Sequence, residues 1–171
     1  MSELDVNALY EVHVDFVFRT LTRLGVESSA IDDAVQQVFL TLHRRRSEFR
    51  HASSVRTWIG GIAIRVAREH RRGLARHEAR LSISTPDATE LKGPDDHLED
   101  AQSLALLLRM LETLDEDQRT VFVMSELEEL SAPEIAEMIG VNVNTVSSRL
   151  RLARKHINAL VVAHRRTEEA L

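Results

Sequence analysis

The chain has no cysteine, three prolines, six glycines and only 4% aromatic residues among its 171 positions. Each shortage closes off a class of protein. Without cysteine there is no disulfide framework, no thiolate metal site and no cysteine nucleophile. Few glycines and prolines supply few turns, and few aromatics supply little for sheets, so an all-α chain is expected. No stretch approaches the ~20 apolar residues of a membrane span. The segment from Met1 to Leu9 holds Glu3 and Asp5 and no apolar run, unlike a secretory leader. The expectation is a cytoplasmic protein with no membrane insertion.

What is present is charge, unevenly placed. The net formal charge is −5, which alone argues against a nucleic-acid partner. The distribution reverses that inference. Residues 1–40 carry −5, residues 41–80 carry +8, residues 81–140 carry −12 and residues 141–171 carry +4. Two basic segments flank a strongly acidic one. Basic segments attract phosphate; the alternative is that they are solvated helix faces.

Hydrophobic spacing predicts the elements. Tyr10, Val14, Val17, Leu21 and Leu24 mark one helix ending at Gly25. Ile31, Val35, Val38 and Leu42 mark a second, with Asp32 and Asp33 in its first turn and Arg44–Arg46 at or beyond its end, where charges complement the helix dipole. Ser53 and Ser54 are N-cap candidates for a third, with Val55, Ile59, Ile62, Ala63 and Val66 inward. Its pattern fades past Arg72. Residues 77–97, with Pro86, Gly93 and Pro94, are expected to be a linker. Beyond it, Leu98, Ala101, Ala105, Leu108 and Leu111 mark a further helix. Asp115 and Gln118 have capping-box spacing, so another helix is expected from about Glu116, carrying Val121, Phe122 and Met124 inward. The implied domains are 1–76 and 98–163, with a C-terminal tail at 164–171.

The strongest local signal is SAPEIAEMIGVNVNTVSSRLRLARKH, residues 131–156. Ser131 and Glu134 have capping-box spacing, and Pro133 lies in the first turn, where its missing N–H costs little. Ile135, Ala136 and Ile139 face inward, Gly140 supplies the left-handed turn, and Asn142 caps the next helix. Val143, Val146, Leu150, Ala153 and Ile157 form that helix's buried face. Asn144, Ser147, Ser148, Arg151 and Lys155 lie opposite, with Thr145, Arg149 and Arg154 beside them. Small polar groups near the start of such a helix can approach base edges, and cations further along can hold phosphates. The plain alternative is a helical hairpin with a basic solvent face.

With DDAVQQVFLTLHRRRSEFR and SSVRTWIGGIAIRVAREHRR in the first domain, and LETLDEDQRTVFVMSELEELSAPEIAEMIGVNVNTVSSRLRLARKHI in the second, the chain resembles the sigma-70 family, in particular its extracytoplasmic-function (ECF) group. The likeness covers about residues 10–75 and 99–160. It implies two helical domains, sigma domains 2 and 4, that direct promoter-specific initiation by core RNA polymerase. Asp32, Asp33, Gln36 and Gln37 would meet the β′ clamp coiled coil through polar contacts, and Phe39 and Leu40 through apolar ones. The second domain would meet the β flap. Arg50, His51, Ser53, Ser54, Arg56, Trp58, Arg65, Arg68 and Arg72 would serve the −10 element, where bases must leave the stack. Asn144, Thr145, Ser147, Ser148, Arg149, Arg151, Arg154 and Lys155 would serve the −35 element. An anti-sigma factor is a further expected partner, and no cofactor is expected.

Three positions depart from the family pattern. Gln37 stands where an acid is common, Arg65 where Asn is frequent, and Leu152 where some members carry a base-contacting Arg. Trp58 has two readings, a wedge at the melted edge of the promoter or a core anchor. A regulator that binds duplex DNA without joining polymerase would show the same helix-turn-helix. Its first domain should then show strands and a pocket, and no such pattern occurs. The eight histidines raise a metallohydrolase, but they are scattered, without an HExxH pair or a Ser/His/Asp constellation, so no enzymatic activity is expected.

Overall fold

The computed structural model describes residues 5–49, 53–81 and 98–169. Among them every regular element is helical. The chain divides into two compact units, Met1–Glu90 and Leu91–Leu171.

The first unit contains helices α1 (Val6–Arg23), α2 (Ile31–Arg45) and α3 (Val55–Leu81). Asp5 caps α1 by accepting from the backbone N–H groups of Asn7 and Ala8. The helix stops at Gly25, which adopts φ +88°. Its N–H donates to the Thr22 carbonyl and that of Val26 to the Leu21 carbonyl, the paired bonds of a left-handed helix end. All three helices pack on one another. Their core is Phe16, Val17, Leu21, Leu24, Ile31, Val35, Val38, Leu42, Ile59, Ile62, Ala63 and Val66.

Helix α3 is caged rather than striped. From Ile59 to Ala67 every residue but Arg65 is buried, Gly60 and Gly61 included. The Ser54 hydroxyl starts the helix by accepting from the Thr57 N–H at 3.0 Å. The helix does not end where its apolar pattern fades near Arg72. It continues to Leu81 because residues 73–81 are mostly good helix formers with no proline.

The second unit contains α4 (Leu98–Glu112), α5 (Glu116–Phe122), α6 (Ala132–Ile139) and α7 (Val143–Glu169). Asp115 caps α5 by accepting from the Gln118 N–H at 2.7 Å. Arg119, almost fully buried, ties α5 to the end of α4 through a 2.7 Å bond to the Leu111 carbonyl. A π-helical turn, Val123–Leu127, comes directly after α5. Its wide geometry shows in the bond from the Glu128 N–H to the Val123 carbonyl, five residues back. Glu129 then takes φ +56°, the one positive φ among the described non-glycine residues.

Candidate nucleic-acid interface

Helices α6 and α7 form the turn that the sequence predicts. The Glu134 carboxylate accepts from both the backbone N–H and the hydroxyl of Ser131, at 2.9 and 2.6 Å. Gly140 adopts φ +70° between the helices. Asn142 caps α7 by accepting from the Asn144 N–H at 2.8 Å. Of the expected inner face, Val146, Leu150, Ala153 and Ile157 are buried. Val143 is not: it sits in the first turn, before the helix reaches the core, and is 40% exposed. Ile139 is half-buried and Met138 takes the buried place in α6.

The outer face of α7 is open. Asn144, Ser147, Ser148, Arg151 and Lys155 are exposed and Thr145 is half-buried. Arg149 and Arg154 differ. Arg149 forms an ion pair with Asp117 of α5 at 2.5 Å. Arg154 directs both Nε and Nη2 onto Oε1 of Glu126, in the π-helical turn, at 3.2 and 2.6 Å. At ~100° per residue these two arginines border the buried stripe on opposite sides. Nothing local in the sequence signals either pair, since the acids lie in a different helix or turn.

In the first unit, Asp32, Asp33, Gln36 and Leu40 are exposed on α2. They rim a groove of about 720 Å³ between α1 and α2, which Tyr10, Val14 and Phe18 line from the other side. Phe39 is buried at its floor, edge-on to Tyr10 with centroids 4.7 Å apart. Tyr10 and Phe18 are each 46% exposed, an apolar surface missing from the sequence-level site. Gln37 turns away to α3. Its amide donates to Glu69 at 3.2 Å and accepts from the His70 ring at 3.1 Å. A carboxylate at this position would oppose Glu69; an amide can satisfy both neighbours.

On α3, Trp58, Arg65 and Arg72 recur at sevens and share one face. Arg65 and Arg72 are exposed, and Arg68 is half-buried. Trp58 is half-buried against Phe49, with centroids 5.1 Å apart. Arg56 lies elsewhere, its guanidinium 4.7 Å over the Phe16 ring. Ser53 is half-buried and Ser54 is occupied as the helix cap. Arg50 and His51 lie outside the described residues. The Glu48 carboxyl sits below the ordinary range, chiefly through the hydrogen bond from Arg45, with the Arg45 and Arg65 charges contributing. Among the described residues no group of three or more His, Asp or Glu side chains could hold a metal. No helix among them is long and apolar enough to cross a membrane.

Two family models match in chain order: sigma-70 region 2 over residues 9–77 and sigma-70 region 4 over residues 104–157. An ECF RNA polymerase sigma-E factor of Haemophilus influenzae is 30% identical over 160 residues, spanning 88% of this chain and 84% of its own. The solved structure of CnrH in complex with the cytosolic domain of CnrY is 25% identical, with a TM-score of 0.70, over 92% of this chain and 88% of that one. The sigma factor RpoE of Bartonella quintana, solved with the anti-sigma factor NepR, shares the fold at 17% identity and a TM-score of 0.69, covering 92% of this chain and 96% of that one. With both regions present in order and a relative matched across most of its length, the chain belongs to the sigma-70 family, as a sigma factor of its ECF group.

Proposed function

We propose that this sigma factor works by holding core polymerase through α2 and promoter DNA through α3 and α7, without making or breaking a bond. The observation that carries the reading is the pairing of an acid-rimmed apolar groove in one unit with an open, basic second helix of a helix-turn-helix in the other. Asp32, Asp33, Gln36 and Leu40 suit a basic partner with an apolar ridge, as the β′ clamp would supply. The second unit would add a contact to the β flap. Gln37 and Phe39 act from behind, holding α2 against α3 and α1.

Trp58, Arg65, Arg68 and Arg72 serve the −10 element, together with Arg50, His51 and, at the entry to α3, Ser53. Ser54 and Arg56 shape that entry. Asn144, Thr145, Ser147, Ser148 and Arg151 approach base edges at −35, and Lys155 takes a phosphate. Arg149 and Arg154 reach phosphate only by leaving their acids. Residues 1–76 and 98–163 are the two working domains and 77–97 the connection between them. The cytoplasm is the site of action, and an anti-sigma factor is the regulating partner.

Transcription in vitro tests the whole reading. Core polymerase with this chain should initiate at a subset of promoters from a random library. Stable binding to core with no initiation anywhere would overturn it. Asp33→Arg with Gln36→Arg should weaken core binding at least tenfold while leaving the fold intact, since both side chains are exposed. Unchanged affinity in a titration would move the polymerase contact off α2.

A further inference from the structure

We propose that Asp117 and Glu126 are specificity-determining residues: by engaging Arg149 and Arg154 from the two borders of α7, they withhold two cations from indiscriminate phosphate binding. The inference rests on the proposed −35 reading by α7.

Helix α7 packs on α4, α5 and α6. Between Val146 and Ile157 its only buried residues are Val146, Leu150, Ala153 and Ile157, a single narrow stripe. Asp117 and Glu126 come from separate elements and take hold on opposite borders of that stripe. The arginine at the Asp117 pair is 27% exposed and that at the Glu126 pair 52% exposed, so neither cation is locked in the interior. Each exposed pair adds little to stability. Their effect falls instead on the charge that α7 presents.

Sequence-independent DNA binding comes almost wholly from cations set against phosphates, and each such contact releases counterions. An arginine engaged by a carboxylate contributes little to that term. At the preferred sequence, Ser147, Ser148 and Arg151 fix the helix through base edges. The two border arginines then lie to the sides of the reading face and stay with their acids. On a wrong sequence nothing fixes the helix, and a freed arginine can move to whichever phosphate is near. The acids therefore weaken wrong complexes more than right ones. The π-helical turn places Glu126 for this, since it carries the acid alongside a residue 28 positions later.

The test uses the full chain assembled with core polymerase. The probes are two promoter duplexes, one with the −35 element most enriched by the wild-type holoenzyme from a random library, one with that element scrambled. Glu126→Gln and Asp117→Asn should each tighten binding to the scrambled duplex about three- to tenfold and to the enriched duplex less than about twofold. The salt dependence on the scrambled duplex should steepen by about one unit per variant. Glu112→Gln, which removes the same charge from an exposed site on α4, should leave the ratio unchanged. Adding Arg154→Gln should abolish the effect of Glu126→Gln. Equal tightening on both duplexes, an unchanged ratio, or an effect that survives Arg154→Gln would overturn the proposal. If Asp117→Asn loosens the start of α5, as a shifted melting curve would show, Glu126→Gln carries the test, since that acid lies outside any α-helical end. Failure of the wild type to enrich any −35 element would overturn the −35 reading and this inference with it. Clear enrichment with an unchanged ratio overturns this inference alone.

Discussion

Helices α3 and α7 are both 27 residues long and both basic, yet they are held in opposite ways. Helix α3 is surrounded: through its middle only Arg65 escapes burial. Its orientation is set by close packing, which tolerates neither voids nor added volume. Helix α7 buries a single stripe between Val146 and Ile157 and leaves its outer face to solvent. Packing on α4, α5 and α6 places it, and two ion pairs border its buried stripe on opposite sides. A surrounded helix is hard to retune without unfolding its domain. A striped one can change its outer residues, and with them its DNA preference, at small cost in stability.

The largest effect that tests this contrast is a cavity in the cage. Ile62 is 1% exposed, and Ile62→Ala should destabilise the first unit by about 2–5 kcal/mol. Val146→Ala on the stripe of α7 should cost the second unit roughly 2 kcal/mol. Trp58 is the sole tryptophan, so its fluorescence during urea unfolding follows the first unit and should shift only for Ile62→Ala. Equal losses from the two substitutions would remove the distinction between cage and stripe.

Next comes the reading face. Arg151→Ala should cost ~1–3 kcal/mol at the preferred −35 sequence and relax discrimination at one or two base pairs. Lys155→Ala should weaken all sequences alike and make the salt slope shallower by roughly one unit. Titrations of holoenzyme on −35 variants at several salt concentrations separate the two. A uniform loss for Arg151→Ala would transfer base reading to Ser147 and Ser148.

Two glycines sharpen the comparison with opposite signs. Gly140 holds φ +70°, so Gly140→Ala should destabilise the turn before α7 by ~1–2 kcal/mol. Gly73 lies within α3 where an added methyl group would meet only open space, and Gly73→Ala should stabilise that helix by ~0.5–1 kcal/mol. Thermal melting of the two variants should move in opposite directions.

The smallest effect is the pH response of the first unit. Burial, aided by the Arg56 charge, lowers the His13 pKa from its ordinary 6.5. Above that value both folded and unfolded chains carry neutral imidazole and nothing is lost. As pH falls through it, the unfolded chain gains a proton that the folded chain resists, so stability drops until pH passes the folded value. His13→Gln should flatten this part of the profile in urea titrations followed by Trp58.

Short-range features are legible in the sequence because their partners are neighbours. The Ser131–Glu134 bonds, Gly140 and the Asn142 cap each lie within a few residues. The reading face comes from helical spacing once the stripe of Val146, Leu150 and Ala153 is known. The ion pairs of Arg149 and Arg154 are not legible, because Asp117 and Glu126 are distant acids among the many of residues 81–140. Nor is the apolar surface of Tyr10 and Phe18, since both fall on a helix whose spacing reads as core. The end of α3 is hidden for another reason. A fading apolar stripe shows that packing stops, not that hydrogen bonding does.

The π-helical turn at Val123–Leu127 also constrains how chain length can drift. Such a turn accommodates one residue more than an α-helix does. Losing that residue would close the turn to an α-helical one: the chain beyond would keep its place, while residues within the turn, Glu126 among them, would shift by one position. The carboxylate that meets Arg154 would swing out of reach, although no residue at the DNA-facing surface had changed. A single-residue deletion here would thus act as a mutation of the recognition surface at a distance, whereas a deletion within a surface loop would be absorbed where it occurred.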